Sequence, residues 1–448
     1  MDPVSSKPRL NVAFIGHHHH GKTTLLAAVL ARLAAEPGCE ARALAVAELD
    51  QVENPEWRTW RPMFRELGPV TVRPRRLVSH TTRRTLGLMD CPGLRRRIKQ
   101  TAWAVATADV AVLVVAADAG PGAQTQEHVR IAAAAGVRSF VVFVNKCDQL
   151  TDEARADEVE LELRELVERC APGIDGDELR VIRGAAARAL SGDALWSDGV
   201  RRLIEALEDD IPVPRRDTDA SATQLVIDRV YPALHGQKPR VLVTATILRG
   251  RVAVGDRLVR VGLGDPRIVQ LQSLEVDGRR VEEALAGVHI GMVLRPGDSL
   301  AGDALRLYEF DRGQRLVHPG LEDARDMFCA RVQLIDVEHG GRHTPLVSGH
   351  RAQLLLGAAA VTAELTLIHG GALEPAGAAE VFFQLDEPLH LARGMHFMFR
   401  DGTDGLQWLE GGPCVWGGTV GRGEIYALGV PPGLHTSAED RILDRLKS

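Results

Sequence analysis

Paired cysteine is missing from this sequence. Six cysteines stand at 39, 91, 147, 170, 329 and 414 among 448 residues, and none forms a C-x-x-C pair. Neither a zinc nor a disulfide framework is indicated, and a reducing compartment is the expected home. Long apolar runs are missing too. The most apolar stretch, Val110 to Ala117, follows Asp109 and falls far short of the roughly 20 residues a bilayer-spanning helix needs. It reads as a buried strand, and no membrane partner is expected. The opening residues, MDPVSSKPRL, hold no apolar core of signal-peptide length, which fits a cytoplasmic location. Nor is there a net positive charge. The formal value of −6 argues against indiscriminate nucleic-acid binding. Two local basic runs, RPRR at 73–76 and RRR at 95–97, read either as solvated loop charges or as a basic face.

What is present begins with FIGHHHHGKTT. Gly16, Gly21, Lys22 and Thr23 complete the pattern G-x-x-x-x-G-K-[ST] around four consecutive histidines, which a purification tag would not do. An apolar run, Asn11 to Ile15, precedes the pattern and a helical run from Thr24 to Leu30 follows it. Glycines let backbone N–H groups turn inward around phosphate, Lys22 brings a charge to it, and Thr23 offers a hydroxyl to Mg²⁺. His17, His18, His19, His20, Gly21, Lys22, Thr23 and Thr24 are therefore candidate nucleotide contacts. Side chains splay outward around such a turn, so the four histidines do not converge as zinc ligands do. They read as residues flanking phosphate, which favours charged imidazolium.

Two further motifs follow in order. LMDCPG places Asp90 at a strand end with Cys91, Pro92 and Gly93 in the turn behind it, an arrangement that holds Mg²⁺ and senses a terminal phosphate. FVNKCD ends another apolar strand with Asn145, Lys146 and Asp148. A carboxylate there accepts both N1–H and N2–H of guanine, a pair adenine lacks, so the expected ligands are GTP and GDP with Mg²⁺.

Apolar strands alternate with helical patterns such as EVELELRELVERC and DGVRRLIEALEDD to about residue 210, the signature of a βαβ sheet. A charged, proline-bearing linker, IPVPRRDTDA, then gives way to short β-rich runs punctuated by glycine, and HPGLEDARD precedes a second β-rich block. The expected fold class is multidomain, an α/β P-loop GTPase domain followed by two β-barrel domains. The expected boundaries are 1–212, 213–317 and 318–428, with a tail at 429–448 carrying a short helix.

This order of motifs resembles the translational GTPases, in wording closest to bacterial elongation factor Tu. NVAFIGHHHHGKTTLLAAV, DCPG, AVLVVAADAGPGAQTQEHV, VNKCD, GDALW, LRGRVAVGD, GGRHTP and TVGRGEI each resemble a family stretch and occur in family order. The resemblance implies a GTP-dependent carrier of aminoacyl-tRNA to the ribosome, served by a nucleotide exchange factor. It also implies that Ala185 and Ala186 lie beside guanine, where the family has S-A-L, and that Thr71 closes on Mg²⁺ together with Thr23 and Asp90.

Departures from the family fall on functional positions and suggest a divergent paralogue. The family's water-positioning histidine after D-C-P-G is Leu94 here, so slow GTP hydrolysis is expected, with His18 and Arg95 as candidate catalytic substitutes. Gly68 and Pro69 replace the arginine and glycine ahead of the switch threonine, and the lengthened segment before them carries Trp57 and Trp60, which read as a docking pair or as self-packing. Val288 and His289 replace an acidic-amide pair in the region that receives the aminoacyl end, whereas Gly340 to Pro345 are retained. Two readings stand: a GTP-dependent tRNA carrier, and a GTP-binding regulatory or scaffold protein.

Overall fold

A computed structural model describes residues 7–51, 75–93, 97–171, 173–232, 241–262, 266–297, 310–321, 324–335, 344–356, 359–391, 393, 395–401 and 419–428. The chain divides into two compact units, Met1–Arg216 and Asp217–Ser448. In the first, chain order runs β1 (Arg9–Ile15), α1 (Lys22–Ala35), α2 (Val46–Gln51), β2 (Arg75–His80), β3 (Thr85–Asp90), α3 (Ile98–Val105), β4 (Val110–Ala116), α4 (Ala123–Ala134), β5 (Ser139–Asn145), α5 (Ala154–Cys170), β6 (Arg180–Arg183), α6 (Ala186–Leu190) and α7 (Ala194–Glu205). The sheet order is β2-β3-β1-β4-β5-β6. Only β2 runs antiparallel to its neighbour.

A parallel sheet covered on both faces demands apolar strands rather than alternating ones. Every residue of β4, VAVLVVA, is accordingly buried, and the core gathers Phe14, Leu25, Val29, Val112, Phe143 and Leu203 from sheet and helices. The helical pattern over 198–210 becomes α7, which begins earlier at Ala194, followed by one wide turn at Ala206–Asp210. Because β1, β3, β5 and β6 are parallel, the loops leaving their carboxyl ends emerge on one edge of the sheet, where open α/β folds place their ligands.

The second unit holds two β-barrels. The first uses β7 (Gln224–Pro232), β8 (Val241–Arg249), β9 (Arg251–Ala253), β10 (Arg257–Val261), β11 (Arg267–Val276), β12 (Arg279–Val281), β13 (Glu283–Leu285), β14 (His289–Pro296) and β15 (Arg315–Val317). Its main sheet runs β10-β15-β7-β8-β14-β11-β12, and pairing of β10 with β11 closes it. The second comprises β16 (Ala324–Leu334), β17 (Leu346–Val347), β18 (Arg351–Leu356), β19 (Ala359–Leu367), β20 (Ala372–Leu373), β21 (Ala378–His390), β22 (His396–Asp401) and β23 (Thr419–Leu428), with a closed order β16-β21-β19-β18-β22-β23. Alternate residues of β19 point into this barrel, as a half-solvated antiparallel strand requires. Phe328 stacks on Phe383 at 5.0 Å and meets Phe397 edge-on at 5.5 Å in its core. The architecture is thus an α/β P-loop domain followed by two β-barrels. The expected tail helix at 429–448 lies outside the described residues.

Candidate functional site

The loop between β1 and α1 is shaped by its two glycines. Gly16 has φ +133°, and a Cβ there would lie 2.2 Å from the carbonyl oxygen of Val114. Gly21, at φ +90°, stands at the N-cap of α1, and a Cβ on it would meet Asn145 Nδ2 at 2.2 Å. His19 also adopts left-handed backbone, at φ 63°, at a cost on the order of 1 kcal/mol. No side chain caps α1. Its first-turn N–H groups and dipole are therefore available to an anion.

Lys22 is 6% exposed and donates from Nζ to the carbonyl of His17 at 2.7 Å. Burial pulls its ammonium down to about 8, against the opposing pull of the Asp90 carboxylate. Thr23 Oγ1 donates to Asp90 Oδ2 at 2.7 Å. A hydroxyl and a carboxylate side by side suit Mg²⁺, which binds through one or two protein oxygens together with phosphates. Bound there, the ion would neutralise phosphate charge. The third expected ligand, Thr71, lies outside the described residues, as do Leu94, Arg95, Trp57 and Trp60. Thr24 sits half-buried in the first turn of α1.

The D-C-P-G turn is pinned against this loop. Cys91 N donates to Phe14 O at 3.1 Å, Pro92 O accepts from Thr101 Oγ1 at 2.9 Å, and Gly93 O accepts from His18 N at 3.1 Å. Gln124 of α4 also donates to Gly93 O. A Cβ on Gly93 would meet Lys22 Nζ at 2.4 Å, so no other residue fits there. Burial pushes the Cys91 thiol up, leaving it protonated and unreactive.

The third motif is tied in through Asn145, which is 3% exposed. Its Nδ2 donates to His20 O at 2.9 Å and its Oδ1 accepts from Ala186 N at 2.9 Å, joining the loop to the start of α6. Ala185 and Ala186 are buried, and the N–H of Ala186 is engaged by Asn145. Lys146 takes left-handed backbone at φ 62°, and Cys147 N donates to Gly184 O at 3.1 Å. Asp148 faces Arg188 of α6 at 3.4 Å.

Two of the loop histidines are pulled down by the protein itself. Burial, reinforced by the like charges of His17, Lys22 and Lys146, pulls His20 down to about 3, with Asp118 opposing. Burial and then Lys146, Lys22 and His17 lower His19 as well. Both rings are held neutral near pH 7 in the protein alone. His17 Nδ1 meets His18 O at 2.8 Å, and the His17 and His20 rings lie 5.0 Å apart. Among the described residues no cluster of three or more histidine, cysteine or acidic side chains is arranged to hold a metal.

Residues 7–213 match the family model of the elongation factor Tu GTP binding domain. The matched span contains each motif residue above from Gly16 to Ala186, and it gives the first unit a translation-factor-like GTPase character with guanine nucleotide as its ligand class. No helix among the described residues is long and apolar enough to cross a membrane.

Three contributors escaped the sequence reading. His128 of α4 accepts from Gly16 N at 3.0 Å through Nδ1, and burial drives it to about 3, so a neutral ring braces the loop from below. Gln124 and Arg188 are the others. His128 and Gln124 belong to the GAQTQEHV stretch, which carried the family resemblance without any role attached to its residues. Arg76, part of the RPRR run, is committed to packing: its guanidinium lies 5.1 Å from the Trp103 ring centroid and donates to Thr107 Oγ1 at 2.5 Å. In the first barrel, His289 Nδ1 lies 3.1 Å from Thr246 Oγ1, and its Nε2 stands 3.7 Å from Asp228, which also accepts from Arg312 at 3.0 Å. Val288 packs against that barrel's core. Of the retained Gly340 to Pro345 turn, Thr344 and Pro345 alone fall within the described residues.

Proposed function

We propose that this protein is a divergent paralogue of elongation factor Tu that carries aminoacyl-tRNA in a GTP-dependent way in the cytoplasm, hydrolyses GTP slowly, and works with the ribosome and a nucleotide exchange factor. The observation that supports this most is the joining of three motifs by Asn145, His20 and Ala186 within a span that matches the elongation factor Tu GTP binding domain. The two barrels, read as 213–317 and 318–428, supply the surface such carriers use. In this reading His17 to Thr24 and Asp90 to Gly93 surround the phosphates, Asn145, Lys146, Asp148, Ala185 and Ala186 surround guanine, and Thr23, Asp90 and Thr71 hold Mg²⁺.

Slow hydrolysis follows from Leu94, because an aliphatic side chain does not orient water, and a positioned polar group contributes roughly a hundred- to ten-thousandfold. His18 and Arg95 are the groups able to substitute. Single-turnover hydrolysis with and without ribosomes tests this. Leu94→His is expected to accelerate it, and His18→Ala or Arg95→Ala to slow it only where that residue substitutes. Binding of aminoacyl-tRNA in the presence of a non-hydrolysable GTP analogue tests the carrier role. Its absence, with GTP binding intact, leaves the regulatory or scaffold reading, which the replacement of the acidic-amide pair by Val288 and His289 favours.

A further inference from the structure

The first barrel holds a half-buried arginine for which the proposed carrier role has no use. Arg315 lies on β15, paired with Val261 on one side and Val226 on the other. Its side-chain hydrogen bond is a long one, from Nη1 to Gln224 Oε1 at 3.4 Å. Burial pulls its guanidinium down to about 10, and no carboxylate offsets that pull. Arg312, three residues earlier, differs in having the buried Asp228 as its partner at 3.0 Å. A half-buried guanidinium without a counter-charge gives up solvation that the fold does not replace.

Arg315 lines a cavity of about 240 Å³ within the second unit, roofed by Leu389 and Met395 from the other barrel, against roughly 15 Å³ for a single water. Asp311 and Glu387 also line it, but both are exposed and neither shifts Arg315. The cavity wall therefore carries the half-buried Arg315 guanidinium together with two solvent-exposed carboxylates that leave it unpaired. We propose that Arg315 and this inter-barrel cavity form a binding site for a phosphate-type oxyanion, the counter-charge that the fold leaves out. A guanidinium presents five N–H donors in a planar fork, and one is used here. The remaining fork matches two oxygens of a phosphate, whether free or part of a nucleic-acid backbone. This proposal stands independently of the carrier role.

The test uses the full chain with GDP and Mg²⁺ in excess, repeated in a Lys22→Ala background so that the loop at 16–23 contributes nothing in either case. Inorganic phosphate and a short single-stranded RNA are titrated separately into wild type, Arg315→Lys and Arg315→Met. At least tenfold weaker binding of either probe in Arg315→Met, with Arg315→Lys intermediate, supports the site, and the probe affected names the source. Thermal melts supply a second readout. At five times its Kd, phosphate is expected to raise the melting temperature of wild type by about 2–4 °C and that of Arg315→Met by nothing. Without phosphate, Arg315→Met should melt no lower than wild type, since it removes a half-buried charge that has no carboxylate partner. Equal affinity of wild type and Arg315→Met for both probes, or no binding of either probe to wild type, overturns the proposal.

Discussion

Replacing Asn145 with alanine removes a side chain that bonds both the histidine loop and the start of α6. Two hydrogen bonds of 2.9 Å disappear, and the His20 carbonyl and Ala186 N–H lose their partner in a place where Asn145 itself is 3% exposed. A buried group left unsatisfied costs about 1–3 kcal/mol, so the pair amounts to roughly 2–6 kcal/mol. With a urea slope of about 2 kcal/mol per molar, the midpoint for the first unit should fall by about 1–3 M. The assay is a urea titration of the intact chain followed by hydrogen exchange in β1 and β5, so that unfolding of the barrels is scored separately. Guanine-nucleotide affinity should drop at least tenfold, since losing about 1.4 kcal/mol of loop preorganisation suffices for that. Asn145→Asp keeps the acceptor for Ala186 but sets a carboxylate oxygen against the His20 carbonyl in a buried place, so it should destabilise at least as much as alanine near neutral pH. A midpoint within about 0.3 M of wild type, with unchanged nucleotide affinity, would show that the bridge does not hold the site together.

The first unit should lose stability in mild acid. His20 and His128 sit at about 3 against an ordinary value of 6.5, so between those values the unfolded chain binds more protons and stability falls as pH falls. At pH 5 the loss is about 2 kcal/mol per histidine, and His128→Gln should flatten the slope of denaturation midpoint against pH. Gly93→Ala forces a Cβ toward Lys22 Nζ, at 2.4 Å in the present geometry; calorimetry should show at least tenfold weaker GDP binding with both barrels intact. Asp148→Asn should weaken GTP relative to xanthosine triphosphate, because the amide complements the exchanged base edge; equal GTP affinity in wild type and variant rejects the guanine assignment. Phe383→Ala empties the aromatic centre of the second barrel and should cost about 3–5 kcal/mol there, while nucleotide affinity measured by fluorescence titration stays unchanged.

The legible parts of the sequence are those whose chemistry is local. A glycine held at φ +90° before a helix, a lysine at that helix start and an aspartate closing a parallel strand are read from spacing because each is placed by its neighbours in the chain. The barrels were legible for a similar reason, since turn glycines recur between short β-rich runs. What spacing did not carry was long-range. His128 reaches Gly16 across 112 residues and Gln124 reaches Gly93 across 31, and neither contact leaves a trace in the pattern of either segment. Charge state was hidden for the same reason. The imidazolium expectation concerns the phosphate-bound loop, whereas in the protein alone burial, and then His17, Lys22 and Lys146, pull His20 down, and burial is not visible in the loop's own sequence. In the protein alone His19 and His20 are thus neutral near pH 7. A phosphate bound beside those two rings would draw protons onto them, and each proton taken up would be a difference between the bound and free states, so calorimetry of GDP binding in buffers of different ionisation enthalpy should show proton uptake that His19→Ala and His20→Ala reduce.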